Sequence, residues 1–135
     1  MQIAAVAPGL FTLNGSGLAS AYAIRVSGTS QIVETVYSVT SAGAYAANPI
    51  SLGSGTDQTF LILYGTGFQA AGTSGVTATI NGLAATVAFA GAQGVSPGLD
   101  QVNVQIPASL KGKGNVNVQL TASGVAANPV QITIQ

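Results

Sequence analysis

Apolar and polar positions alternate along most of the chain. In residues 19–26, Ser20, Tyr22, Ile24 and Val26 share one face, and Ala19, Ala21, Ala23 and Arg25 share the other. Successive side chains of an extended backbone point to opposite faces, so this period of two predicts a strand. Gly28-Thr29-Ser30 reads as a turn, and residues 31–40 continue the alternation as the second strand of a hairpin. Tyr22 and Tyr37 are then candidates for cross-strand neighbours. Residues 41–55 are rich in Ala, Gly and Ser and read as a connection holding one short strand at most. Residues 59–64 are apolar on both faces, which predicts a central strand covered on both sides. Val76–Ile80 and residues 83–89 flank Asn81-Gly82. Asn-Gly between two alternating runs predicts a type I′ hairpin, because that turn needs positive φ at both central residues. Val102, Val104 and Ile106 should face inward, with Gln101, Asn103 and Gln105 outward. Val116, Val118 and Leu120 repeat the design, and Val130, Ile132 and Ile134 close the chain after Asn128-Pro129. A Pro suits the first residue of a strand or an edge, where no ladder donor is needed.

Helix signals are nearly absent, because Glu, Lys and Arg are scarce and Gly or Pro punctuates every stretch. Strands recurring every ~8–12 residues predict an all-β antiparallel sandwich. We expect seven to nine strands in a single domain, 1–135. Residues 1–47 add N-terminal strands and a hairpin to a unit formed by 48–135.

Charge changes the picture most. The 135 residues hold three Lys or Arg and three Asp or Glu, for a net charge of zero, with no His, Cys or Trp. No basic surface exists for nucleic acid or anionic lipid. Disulfides and thiolate metal sites are impossible, and histidine chemistry is excluded. No apolar run approaches the ~18 residues of a membrane helix. The start of the chain lacks the basic region of a signal peptide. The chain therefore reads as a domain cut from a longer protein, with any export signal outside it.

Residues 60–68, 76–87, 101–107 and 128–134 carry Leu61-Ile62-Leu63-Tyr64-Gly65-Thr66-Gly67-Phe68, the Asn81-Gly82 hairpin, Gln101-Val102-Asn103-Val104 and Asn128-Pro129-Val130. In that order they resemble the TIG/IPT type of immunoglobulin-like domain. Ala7-Pro8-Gly9-Leu10-Phe11-Thr12, Tyr64-Gly65-Thr66-Gly67 and Gly98-Leu99-Asp100-Gln101 extend the resemblance. They are similar to an uncharacterised C-terminal domain family of predicted secreted proteins from Solibacter and other Acidobacteria. The resemblance implies an immunoglobulin-like sandwich in an extracellular or cell-envelope protein of a bacterium. It implies no catalytic residues, and the stretch 25–39 carries little of it.

Candidate chemistry is thin. Gly65-Thr66-Gly67 invites a phosphate-loop reading, but position 70 is Ala, no helix is predicted after it, and no acidic residue stands ~20 residues on. A tight strand ending is the simpler reading. Glu34, Asp57 and Asp100 are the only carboxylates available for glycoside hydrolysis. Glu34 is instead expected to pair with Arg25 across the hairpin, and Asp57 and Asp100 sit where turns and strand starts favour Asp. No clustered acidic run suggests Ca²⁺. Lys111 and Lys113 flank Gly112 in a polar turn and should be solvated, which argues against a lowered-pKa nucleophile and against a Lys–Asn isopeptide bond. Asn14-Gly15-Ser16 fits a glycosylation sequon but reads as a turn. We therefore expect no catalytic residues, cofactor or metal.

Two binding readings follow. Outward strand positions are Thr, Ser, Asn and Gln, so sheet edges lack the charge that usually guards them. This favours a non-enzymatic structural or interaction module, pairing with itself or with other domains of its parent protein. The alternative is a carbohydrate-binding module using Tyr22, Tyr37, Tyr45 and Tyr64 as a ligand surface.

Overall fold

The computed structural model describes residues 9–13, 17–69, 71–95 and 98–135. Ala7-Pro8 and the Asn14-Gly15-Ser16 sequon lie outside these residues. The strands are β1 (Gly9–Leu10), β2 (Ala21–Ser27), β3 (Ser30–Thr35), β4 (Tyr37–Val39), β5 (Tyr45–Ala47) and β6 (Gln58–Thr66). They continue with β7 (Val76–Ile80), β8 (Leu83–Ala85), β9 (Val87–Ala92), β10 (Asp100–Ile106), β11 (Gly114–Ala122), β12 (Val125–Ala126) and β13 (Val130–Ile134). One helical turn, α1 (Gly72–Gly75), precedes β7, and one 3₁₀ turn spans Ala108–Leu110.

The protein is all-β, with two antiparallel sheets packed as a sandwich. The first has the order β3-β2-β6-β10-β9, with β1 also pairing β6. In the second, β11 is flanked by β7 and β8 on one side and by β12 and β13 on the other. β4 and β5 form a separate two-stranded ribbon. One core joins the sheets: Leu61, Leu63, Val102 and Val104 from the first pack in a single cluster with Ile80, Val118, Leu120 and Ile132 from the second. Sheets that bury only one face each must meet in this way.

The inward sets expected on β10, β11 and β13 are the buried ones. Asn81 and Gly82 both have positive φ, 56° and 77°, and Ile80 pairs with Leu83, so the expected type I′ hairpin joins β7 to β8. Gly65 is required for a different reason from the tight ending expected of it. β1 crosses so close that a Cβ there would strike the Gly9 carbonyl oxygen. Gly67, at φ 84°, makes the bend itself.

Four expectations need correction. The run 31–40 is not one strand. Val36 leaves the sheet and is fully buried, and the chain resumes as β4 against β5. The run 83–89 is also broken, because the chain changes sheets at Thr86 between β8 and β9. With the two-residue strands, these breaks raise the count to thirteen, of which eight have five residues or more. Tyr22 pairs in register with Thr35 and Ile62 rather than with Tyr37. Finally, β6 is central, but on its outer face only Ile62 is buried, at 3% exposed, while Phe60 and Tyr64 are half-buried. Leu61 and Leu63 join the core, whereas Phe60, Ile62 and Tyr64 lie on the other face, outside that cluster. No helix among the described residues is long and apolar enough to cross a membrane.

Candidate functional site

The outer face of the first sheet follows from its inner one. Ala21 and Ala23 of β2 are buried in the core, so Tyr22, Ile24 and Val26 must point outward. Leu61 and Leu63 of β6 do the same to Phe60, Ile62 and Tyr64. The register sets Ile24 between Val33 and Phe60, and Tyr22 between Thr35 and Ile62. An apolar band thus crosses β3, β2 and β6. Gln101, Asn103 and Gln105 of β10 border it, opposite Tyr64, Ile62 and Phe60.

The band ends in a pocket. Tyr22 and Tyr64 are diagonal neighbours on adjacent strands, with ring centroids 6.2 Å apart and planes tilted by 35°. Thr35 ends β3 opposite Tyr22, Val36 dives into the core, and Tyr37 emerges beside them. Tyr22, Thr35, Tyr37 and Tyr64, with Ser20 and Ala21, line a cavity of about 280 Å³. Tyr37 meets Tyr45 edge to face at 5.6 Å and also packs against the core. The structure therefore brings Tyr22, Tyr37 and Tyr64 into one pocket. Tyr45 does not line it. It buttresses Tyr37 and borders a second hollow of about 190 Å³ with Leu18, Asn115 and Gln131.

Hydroxyls supply the pocket's polarity. The Thr35 hydroxyl accepts a 2.6 Å hydrogen bond from the Asn48 side-chain amide. Burial, reinforced by a hydrogen bond with Tyr22, pushes the Tyr64 phenol up to about 12. Tyr64 is thus neutral at physiological pH, and no formally charged residue lines the cavity.

The ionisable groups are occupied elsewhere. Arg25 Nε bonds Glu34 Oε2 at 3.3 Å, as expected from the hairpin, although Glu34 is a diagonal rather than a direct partner. Arg25 Nη1 also bonds Asp57 Oδ2 at 3.2 Å, a contact the sequence did not suggest. The Ser51 amide donates to Glu34, the Ser54 amide to Asp57, and Lys111 Nζ to the Gly53 carbonyl. The Glu34 and Arg25 contacts hold the 51–57 loop against the hairpin, and Lys111 ties it to the turn after the 3₁₀ segment. The Ser27 hydroxyl, the Ser54 amide and Arg25 keep the Asp57 carboxyl below its usual range.

Asp100 is 5% exposed, and its Oδ2 accepts the Phe68 and Gln69 amides at 2.9 and 3.0 Å. It pins the bend after β6 to the start of β10, beside an open hollow shared with Gly67, Gln69 and Gly98. Asp57 and Asp100 lie at opposite ends of β6: Asp57 precedes Gln58, and Asp100 pairs with Gly65. At ~3.3 Å per residue the two ends are about 23 Å apart. A glycosidase pair stands roughly 5–9.5 Å apart, so Asp57 and Asp100 do not form one; Glu34 and Asp57 do approach each other, and both are held on the Arg25 guanidinium. Among the described residues, no group of three His, Cys, Asp or Glu side chains is placed to hold a metal ion.

No family model, curated protein or solved structure matches the chain.

Proposed function

We propose that this chain is a non-enzymatic structural or interaction module of a secreted bacterial protein. Its fold in this reading is immunoglobulin-like, of TIG/IPT type, and it self-associates through a sheet edge. Strand connectivity supports the fold reading. Immunoglobulin domains place strands A, B, E and D in one sheet and C, F and G in the other, with C′ beside C in some. With β6 as B, β7 to β11 follow as C, C′, D, E and F, and β13 as G. Both sheets are then reproduced, with β2 in the place of A and β3 added outside it. Secretion and bacterial origin rest on the resemblance of the sequence.

The observation that carries the function is the free edge of β3. Among the described residues, β3 pairs only with β2. Val33 is 65% and Ile32 38% exposed, and the strand holds no Lys, Pro or bulge. Its one charge, Glu34, is turned to Arg25 and the Ser51 amide. Natural edges are normally blunted by Lys, Pro or a bulge, which β3 lacks; its guards are Glu34 and, at its end, the Asn48 side-chain amide on the Thr35 carbonyl, and Gln31 to Val33 are left open. The corresponding edge of β13 is treated differently, because Leu18 and Ile50 bridge to it.

Sedimentation across a concentration series tests the proposal. The wild-type chain should associate, and Val33→Lys, which puts a charge on the edge, should leave a monomer. A wild-type chain that stays monomeric at the highest concentration overturns edge assembly.

A further inference from the structure

We infer that the Tyr22–Tyr37–Tyr64 pocket is a binding site for an uncharged sugar ring. This goes beyond edge assembly and does not depend on it. Three aromatic rings from β2, β4 and β6 converge on one cavity, although each strand has its own reason to place its tyrosine there. A pyranose has an apolar C–H face and a rim of hydroxyls. The pocket matches both features: the tyrosine rings offer apolar surface, and Ser20, Thr35 and the phenols offer donors and acceptors.

Charge narrows the class. The lining holds no Lys, Arg, Asp or Glu, and Arg25, three positions along β2 on its other face, is committed to Glu34 and Asp57. A uronate or an amino sugar would therefore give up hydration without a counter-charge. A purely apolar ligand would leave the rim hydroxyls unpaired. Size narrows it further. At about 280 Å³ the cavity falls just below the ~300 Å³ lower end of drug-sized pockets, which suits one or two sugar units. Preorganisation favours binding. Tyr37 is clamped by Tyr45, Thr35 by Asn48, and Tyr22 and Tyr64 lie against each other on paired strands. Little side-chain freedom is left to lose.

The test is an amide-resolved NMR titration of the whole chain, 1–135. The probes are maltose, cellobiose, lactose and N,N′-diacetylchitobiose, each to about 50 mM, enough to saturate a site of millimolar Kd. Glucuronic acid, glucosamine and cyclohexanol are run beside them. The expected result is saturable shifts at residues 20–22, 35–37 and 64 with at least one neutral disaccharide, and weaker response to the three controls. Tyr22→Ala and Tyr64→Ala should each weaken that binding about three- to tenfold, the usual contribution of one aromatic face. Thr35→Val keeps the shape of the site, and should weaken binding without disturbing the fold if an alanine variant does. Val33→Lys should leave binding unchanged while removing edge assembly, so the two readings fail separately. Absence of saturable shifts with all four disaccharides overturns the inference. So do shifts elsewhere on the surface, or a control that binds as tightly as the best disaccharide.

Discussion

Tyr64 shows how a residue on an outer sheet face acquires unusual properties without a charged neighbour. Burial, then the hydrogen bond with Tyr22, disfavour its phenolate and push it up to about 12. An unfolded tyrosine loses its proton near pH 10. Between those values the unfolded chain releases a proton that the folded chain keeps. The stability contributed by neutral Tyr64 is therefore complete below about pH 10 and is lost as pH rises towards about 12. Phenolate absorbance should show a step well above the pH at which an unfolded tyrosine ionises. Tyr64→Phe should remove that late step and flatten the alkaline loss of stability. A late step that survives Tyr64→Phe would assign it to another ring. The gathering of tyrosines was only half legible in the sequence. Strand parity groups Tyr22 with Ile24 and Val26 on one face without saying that this face is the outer one, and nothing local says that Val36 will turn inward and deliver Tyr37 to the same cavity.

At the scale of elements, side-chain-to-backbone ties hold the connections. Asp100 is the strongest case, because one buried carboxylate oxygen serves two amides of the bend that follows β6. Asp100→Ala would strand the Phe68 amide, whose side chain is fully buried. The expected cost is about 2–3 kcal/mol, read as a lower denaturation midpoint in urea at unchanged slope. Asp100→Asn keeps an acceptor and should cost less than half as much. Equal losses in the two variants would show that charge, not hydrogen bonding, holds the bend. The role of Asp100 was invisible in a sequence that offers only an Asp before a strand. Its partners lie 31 and 32 positions away. By contrast, β10, β11 and β13 were legible because each buries one face and alternates cleanly. The Asn81-Gly82 hairpin was legible because its turn has a local chemical requirement. The break at Val36 and the change of sheet at Thr86 were not, since Val and Thr are ordinary strand residues. Only the demand of the shared core decides against continuing those strands.

Across the whole molecule, scarce charge acquires a distribution. Arg25 is shared between Glu34 and Asp57 in one cluster with a carboxylate in excess, Asp100 is buried against amides, and Lys111 is tied to Gly53. The outer band of the first sheet and the β3 edge are left to Val, Ile, Phe, Tyr and neutral polar groups. Association through such a surface relies on apolar burial and ladder hydrogen bonds, with little Coulomb energy for salt to screen. Raising sodium chloride from about 0.05 to 0.5 M shortens the Debye length roughly threefold, yet should change the association constant less than about twofold. Ammonium sulfate, excluded from protein surfaces, should strengthen association. Val33→Lys should reverse this pattern. Two edges that meet with like charges repel, so any residual association of the variant should rise with salt. A wild-type association that collapses in sodium chloride would place the contact on charged groups, namely the Arg25 cluster with its neighbouring loop or the exposed Lys111 and Lys113 turn.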